Sequence, residues 1–128
     1  MSWGQRLLTI TVALAGVLFV VMGLRWLVDP AGAAPSLGMK LDSGFGLSSQ
    51  IADVSAFFIV AGLCILIAVA TRARTWFYPP MMLMLAAAAG RLVAWVVHDA
   101  ALVPGTIAFE LIVAALLFVG SRTLPQST

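Results

Sequence analysis

Arg91 and Glu110 are the charged residues that lie deepest inside the long apolar stretches of this sequence. Arg91, in AAAAGRLVAWVVHD (86–99), precedes the end of its apolar run by about 9 Å, at 1.5 Å of helix per residue. Glu110 follows Pro104-Gly105, which open the next run, by a similar depth of about 8–9 Å. Antiparallel helices joined by a short loop would hold the two side by side. The spacing therefore predicts a buried Arg91–Glu110 ion pair.

Further polar side chains lie near the same ends of the apolar runs. Asp53 lies near the start of the second run and Arg25 near the end of the first. Arg91, Trp95 and His98 are spaced i, i+4, i+7 and share one helix face. A charge inside a membrane costs about 2.5–3.5 kcal/mol on insertion scales and usually faces a partner or a polar cavity. We expect this face to point inward, with Trp95 near the interface and His98 at the mouth of a pocket.

Three interpretations of this charged group stay open at the level of sequence. In the first, the ion pair fixes the order of the helices and binds no ligand. In the second, it belongs to an outward-opening pocket that binds a polar head group, and the apolar inner half of the bundle binds the tail. A proton or ion path is the third, and it is disfavoured because the inner half has no relay residues. The pocket hypothesis assigns ligand binding to Arg91, Glu110, Asp53, Trp95, His98 and Arg25.

The sequence lacks the motifs of several large enzyme classes. It contains no phosphate-binding loop, dinucleotide fingerprint, HExxH or GxSxG. Cys64 is the single cysteine and His98 the single histidine, so neither a disulfide nor a Cys/His metal site is expected. We expect no catalytic residue, no metal and no cofactor, although catalysis is unsupported rather than excluded. The seven basic residues are scattered, which argues against nucleic acid as a partner.

The elements that position these residues are predicted to be membrane-spanning helices. Of the 128 residues, 62% are hydrophobic and 9% charged, against about 45–50% and about 25% in soluble domains. So short a chain cannot hide that much apolar surface in its own interior. A bilayer core needs about 20 apolar residues of helix, and four runs supply them. The prediction is one all-α transmembrane domain over 1–128, a four-helix bundle with helices at about 7–28, 51–70, 76–97 and 104–120.

The basic residues indicate how the bundle is oriented. With the N-terminus inside, four arginines lie on the cytoplasmic side, as the positive-inside rule requires: Arg6, Arg72, Arg74 and Arg122. Both termini are therefore predicted to be cytoplasmic, and the long connection 29–50 extracytoplasmic. This connection contains apolar residues such as Leu37 and Phe45. We expect part of it to lie on the outer membrane surface or to fold over the bundle as a lid, and a solvent-exposed loop is the alternative.

Three segments carry a resemblance to a known family. They are ADVSAFFIVAGLCILIA (52–68), AGRLVAWVVHD (89–99) and FELIVAALL (109–117). With them, nearly the whole chain resembles an uncharacterised bacterial family of small four-helix membrane proteins that is loosely similar to DoxX-like proteins. The resemblance implies a four-helix membrane fold with Asp53, Arg91 and Glu110 as its polar signature. Separately, we expect a location in the bacterial inner membrane. The resemblance implies no activity. DoxX-like proteins suggest a redox or respiratory association, but the single cysteine of this chain cannot form a paired redox motif.

These observations lead to two functional expectations. The first is a small multi-pass membrane protein that binds a lipid-like or other amphipathic molecule in an outward-facing polar pocket, with membrane lipids as its partners. The second is a non-catalytic accessory subunit of a larger membrane protein complex, or a homo-oligomer, which packs through small-residue faces such as Ala86/Gly90.

Overall fold

The protein is all-α, as the sequence predicts. The computed structural model describes residues 1–126, and all regular secondary structure within that range is helical. Four helices are long and apolar enough to cross a membrane. The α-helices are α1 (Trp3–Val28), α2 (Pro30–Ala33), α3 (Gly44–Thr71), α4 (Tyr78–His98) and α5 (Pro104–Thr123), with short 3-10 helices at Ala34–Leu37 and Arg74–Phe77.

The bounds of α1 and α3 differ from the predicted apolar runs. Ser2 and Gln5 form a capping box that starts α1 at Trp3, four residues before the predicted start. Helix α3 begins at Gly44, so residues 44–50, predicted as part of the connection, are helical. The apolar run marks the part of a helix that suits a bilayer core, whereas caps and turns set where the helix ends. The two boundaries therefore differ.

Helices α1 and α3 pack together along a seam of glycines. The buried residues of α1 recur at spacings of four and three: Val12, Gly16, Phe19, Gly23 and Trp26. A methyl group added to Gly62 of α3 would lie 2.6 Å from the backbone oxygen of Gly16, and one added to Gly23 would lie 2.8 Å from the backbone oxygen of Ser55. The two backbones are thus in near contact, which is how small residues allow helices to associate in membranes.

Helices α4 and α5 form the second antiparallel pair, and the two pairs share one core. Helix α1 packs chiefly on α3, and α4 chiefly on α5. The side chains that join the pairs are almost fully buried: Phe19, Ile65, Met84 and Leu117. Large apolar side chains are exposed on the outer faces of all four long helices, including Leu14, Leu63, Met82 and Ile112. Soluble monomers rarely expose so much apolar surface.

The end of the bundle where α1 begins and α5 ends, called the closed end, is closed by side-chain contacts to the backbone. Gln5 Nε2 donates to the backbone oxygen of Thr123 at 2.9 Å, which joins the start of α1 to the end of α5. Arg74 Nε donates to the backbone oxygen of Ser121 at 2.8 Å. The Phe77 ring is buried against α5. A small cavity of about 40 Å³ lies beside these contacts.

The connection between α1 and α3 folds onto the opposite end of the bundle. Ala33 and Ala34 are buried beside Trp26 and form a second small core. Arg25 Nη2 donates to the backbone oxygen of Gly32 at 3.0 Å and holds the turn against α1. Gln50 bonds the backbone of the connection twice, at 2.8 Å and 2.9 Å. Residues 29–43 of the connection are therefore a packed part of the fold. This favours the expectation that the connection folds over the bundle, rather than the solvent-exposed loop.

Candidate functional site

A cavity of about 510 Å³ lies between the two helix pairs, at the end where the connection folds over. Ligand pockets are commonly about 300–1,000 Å³ in volume, so this cavity is large enough for a small molecule or a lipid head group. All four long helices and the first 3-10 helix line it. The wall residues are Phe19, Met22, Ser36, Leu37, Asp53, Val54, Phe57, Phe58, Met84, Ala87, Arg91, Gly105, Thr106, Phe109 and Glu110.

The predicted ion pair is present in the wall of this cavity. Arg91 Nε donates to Glu110 Oε1 at 2.9 Å. The Glu110 side chain is 7% exposed, whereas that of Arg91 is 33% exposed. The carboxylate is thus buried between helices, and the guanidinium reaches from it into open space. Because the Arg91 side of this ion pair is accessible, its guanidinium can still form hydrogen bonds with another group.

Arg91 keeps the outer edge of its guanidinium unengaged. Within residues 1–126, its sole side-chain hydrogen bond is the one from Nε to Glu110. The two terminal amino groups lie side by side and carry four N–H donors between them. Because Nε is held in place, this edge has a fixed direction, and a planar pair of donors binds a phosphate or carboxylate in two-point fashion.

Asp53 brings an unpaired carboxylate to the same cavity. It lines the wall from α3, its side chain is exposed, and it makes no hydrogen bond or ion pair within the described residues. In particular, it does not pair with Arg91, although both face one cavity. Asp53 is therefore free to accept hydrogen bonds from an occupant, and all its acceptor positions are open.

Phenylalanine side chains form the apolar part of the cavity. Phe19 packs edge-to-face on Phe58 with ring centroids 5.6 Å apart, and on Phe109 at 6.0 Å. Phe57 packs on Phe58 at 5.2 Å. All four rings line the cavity. Edge-to-face packing is the preferred arrangement of aromatic pairs, and it gives the apolar wall a fixed shape beside the charged groups.

Three of the six predicted ligand-binding residues lie outside this cavity. Arg25 is held by the backbone of Gly32. Trp95 and His98 are exposed near the end of α4, and neither lines the wall, which α4 builds from Met84, Ala87 and Arg91. Trp95 shares the helix face of Arg91 but lies one turn nearer the end of α4, beyond the last residue of that helix that lines the wall. The expected inward-facing stripe thus ends at Arg91.

The rings and the connection residues in the wall were not identified from the sequence. Phe57 follows Asp53 by one helical turn, and Phe109 directly precedes Glu110. The one-turn spacing was a usable signal, because residues four apart share a helix face. Ser36 and Leu37 carry no such signal, since their position depends on how the connection folds back.

The chemical groups in the wall of the cavity define what it can bind. Among residues 1–126, no three His, Cys, Asp or Glu side chains lie close enough to hold a metal ion. The groups that face the cavity are a guanidinium, two carboxylates, two hydroxyl-bearing side chains and apolar surface. These can orient and desolvate a charged amphipathic molecule. Comparisons with family models, curated proteins and solved structures find no match for the chain, so the site is interpreted from its own geometry.

Proposed function

We propose that this protein is a multi-pass protein of the bacterial inner membrane that binds a lipid-like or other amphipathic molecule in a pocket open to the outer side. The observation that carries the proposal is the half-engaged guanidinium of Arg91 in a cavity of about 510 Å³. A purely structural ion pair has no need of such a space beside it. An empty apolar cavity would also cost stability, because its lining atoms lack contacts.

Each part of the cavity has a role in this proposal. The outer edge of Arg91 anchors an anionic or polar head group, and Glu110 holds the guanidinium in position through Nε. Asp53 contacts a second polar part of the same head group. The rings of Phe19 and Phe109 contact the first carbons of the tail. Trp95 and His98 lie at the membrane interface, where amphipathic side chains are favoured.

Charge distribution supports the orientation in which both termini are cytoplasmic. The closed end carries Arg6, Arg72, Arg74 and Arg122, whereas all five acidic residues belong to the half with the cavity. A cysteine in place of Lys40 is expected to react with a membrane-impermeant maleimide in intact cells, and one in place of Arg122 is not. Cys64 is buried and is replaced by alanine in both variants. The reverse labelling pattern would contradict this orientation.

The experiment that tests the binding function is native mass spectrometry of the protein released gently from its own membrane. The wild type is expected to retain a small molecule. The charge swap, Arg91→Glu with Glu110→Arg, is expected to regain most of the stability lost by Arg91→Glu alone but to retain no small molecule. Retention of the same molecule by the folded swap would contradict a role for the guanidinium in binding. A wild type without a bound small molecule would contradict the proposal as a whole.

One observation favours the second candidate, an accessory subunit of a larger complex. Ala86 and Gly90 are exposed on α4, and a methyl group added to Gly90 would meet nothing within 4 Å. This small-residue face is therefore not used inside the bundle, and such faces let transmembrane helices associate. In the same spectra, a retained protein of fixed stoichiometry that is lost in Gly90→Leu would support this candidate, while unchanged masses in Gly90→Leu would contradict it.

A further inference from the structure

The formal charges that face the cavity do not balance. Arg91 contributes one positive charge, and Glu110 and Asp53 contribute two negative charges, which leaves a net charge of −1. Arg91 and Glu110 neutralise one another at 2.9 Å, so Asp53 is the uncompensated group. A head group with only negative charge would satisfy Arg91 but would add repulsion at Asp53. The cavity is therefore better matched by a head group that also carries a positive charge.

The Arg91 guanidinium and the Asp53 carboxylate do not contact each other, so each is available to a different part of an occupant. The terminal amino groups of Arg91 are donors without acceptors, and the Asp53 carboxylate is an acceptor without donors, yet the two do not pair. They belong to different helices, α4 and α3, and both line the cavity. An occupant that bridges them needs an anionic group at one end and N–H donors with positive charge at the other.

On the basis of the proposed binding function, we infer that the occupant's head group is a phosphoethanolamine type of zwitterion, with its phosphate on Arg91 and its primary ammonium on Asp53. A phosphate presents oxygens that match the paired donors of a guanidinium edge. A primary ammonium has three N–H donors for the free carboxylate. A choline group has none, and a glycerol head group lacks the positive charge.

The apolar part of the cavity wall favours a lipid as the source of this head group. The rings of Phe19, Phe57, Phe58 and Phe109 give the cavity a continuous apolar side next to the charged groups. A free, fully hydrophilic phosphoethanolamine would leave these rings facing water. The glycerol-linked start of two acyl chains would cover them, which places the apolar contacts where a phospholipid needs them.

The test is a ligand-induced shift in melting temperature, with the purified full chain in detergent and four probes at equal concentration. The probes are short-chain phosphatidylethanolamine, phosphatidylcholine, phosphatidylglycerol and free phosphoethanolamine. Phosphatidylethanolamine is expected to bind at least about tenfold more tightly than phosphatidylcholine and phosphatidylglycerol, which cannot form the charge-assisted hydrogen bond to Asp53. It is also expected to bind more tightly than free phosphoethanolamine, which lacks the apolar contacts to the rings. Asp53→Asn is expected to fold normally and to bind the ethanolamine and glycerol lipids with similar affinity.

A matched control variant is Asp42→Asn, which changes an exposed acid outside the cavity and should keep the ethanolamine preference. Equal binding of the three lipids by the wild type would overturn the head-group inference and leave the proposed function standing. Free phosphoethanolamine that binds as tightly as the lipid would support the head-group chemistry and overturn the amphipathic ligand. Binding of none of the four would overturn both.

Discussion

The two ends of the bundle differ in the partners of their polar side chains and in the size of the adjoining cavity. At the end with the termini, Arg74 and Gln5 donate to backbone oxygens of α5, and the adjoining cavity measures about 40 Å³. At the other end, the cavity measures about 510 Å³, Asp53 has no partner among residues 1–126, and Arg91 is only half engaged. At the first end, Arg74 and Gln5 are bonded to the backbone, whereas at the other end the charged side chains of Arg91 and Asp53 keep hydrogen-bonding capacity that faces a cavity.

This difference is the reason that we propose the end with the large cavity as the functional end. A buried or membrane-embedded polar group without a partner is costly, so unsatisfied charges facing a cavity need water or an occupant. The cavity at the closed end is far smaller. The seam of Gly16, Gly23 and Gly62 holds α1 against α3 between the two ends, so the cavity forms between the helix pairs and not within one.

The largest effect on this comparison is expected from Arg91→Ala. It leaves the carboxylate of Glu110, a residue that is 6% exposed, without its partner, and breaking a buried pair in this way costs about 3–5 kcal/mol. Because Arg91 is half-buried, we expect about 3 kcal/mol, measured as a fall in the free energy of unfolding in detergent. The double variant Arg91→Met, Glu110→Leu should regain most of this loss. An unchanged melting temperature of Arg91→Ala would contradict the structural role of the pair.

An intermediate effect is expected at the closed end from Arg74→Ala. It removes the hydrogen bond to the backbone of Ser121, and because Arg74 is exposed, water replaces part of the bond. We expect a loss of about 1 kcal/mol in the free energy of unfolding and no change in ligand binding. Lys40→Ala is a matched control, since it also removes one exposed cation, whose side chain makes no hydrogen bond or ion pair in residues 1–126. An equal loss in both variants would show that net charge, not the contact, is responsible.

The smallest effect on stability is expected from Asp53→Asn. Since Asp53 makes no contact that the change would break, the free energy of unfolding should stay within about 0.5 kcal/mol of the wild type. The same variant is expected to alter ligand preference, so stability and binding separate at this residue. Chemical unfolding of the ligand-free protein measures the first quantity. A loss comparable to that of Arg91→Ala would mean that Asp53 supports the fold and not an occupant.

The sequence predicted the features that depend on depth along a helix. Counting residues from the helix ends placed Arg91 opposite Glu110, and the apolar runs predicted four long helices. How far the cavity extends along each helix was not predictable. The inward face was expected to continue to Trp95 and His98, but the cavity wall on α4 ends at Arg91.

The aromatic wall shows the same limit. Its four rings come from three helices, and no spacing within one helix indicates that Phe19 meets both Phe58 and Phe109. That contact depends on the close approach of α1 and α3, which the glycines permit. The extent of α3 depended on the turn at Ser43, whose extended backbone precedes the helix, and this turn lies outside the apolar run.

The most direct test of the central claim fills the cavity without changing a charge. Ala87 is half-buried and lines the cavity, whereas its neighbour Ala86 is exposed and lies outside it. Native mass spectrometry of Ala87→Phe, with Ala86→Phe as the matched control, separates occupancy from general damage to α4. The account predicts that Ala87→Phe loses the retained small molecule and Ala86→Phe keeps it. Retention of the same molecule by both variants would contradict the claim that this cavity is the binding site.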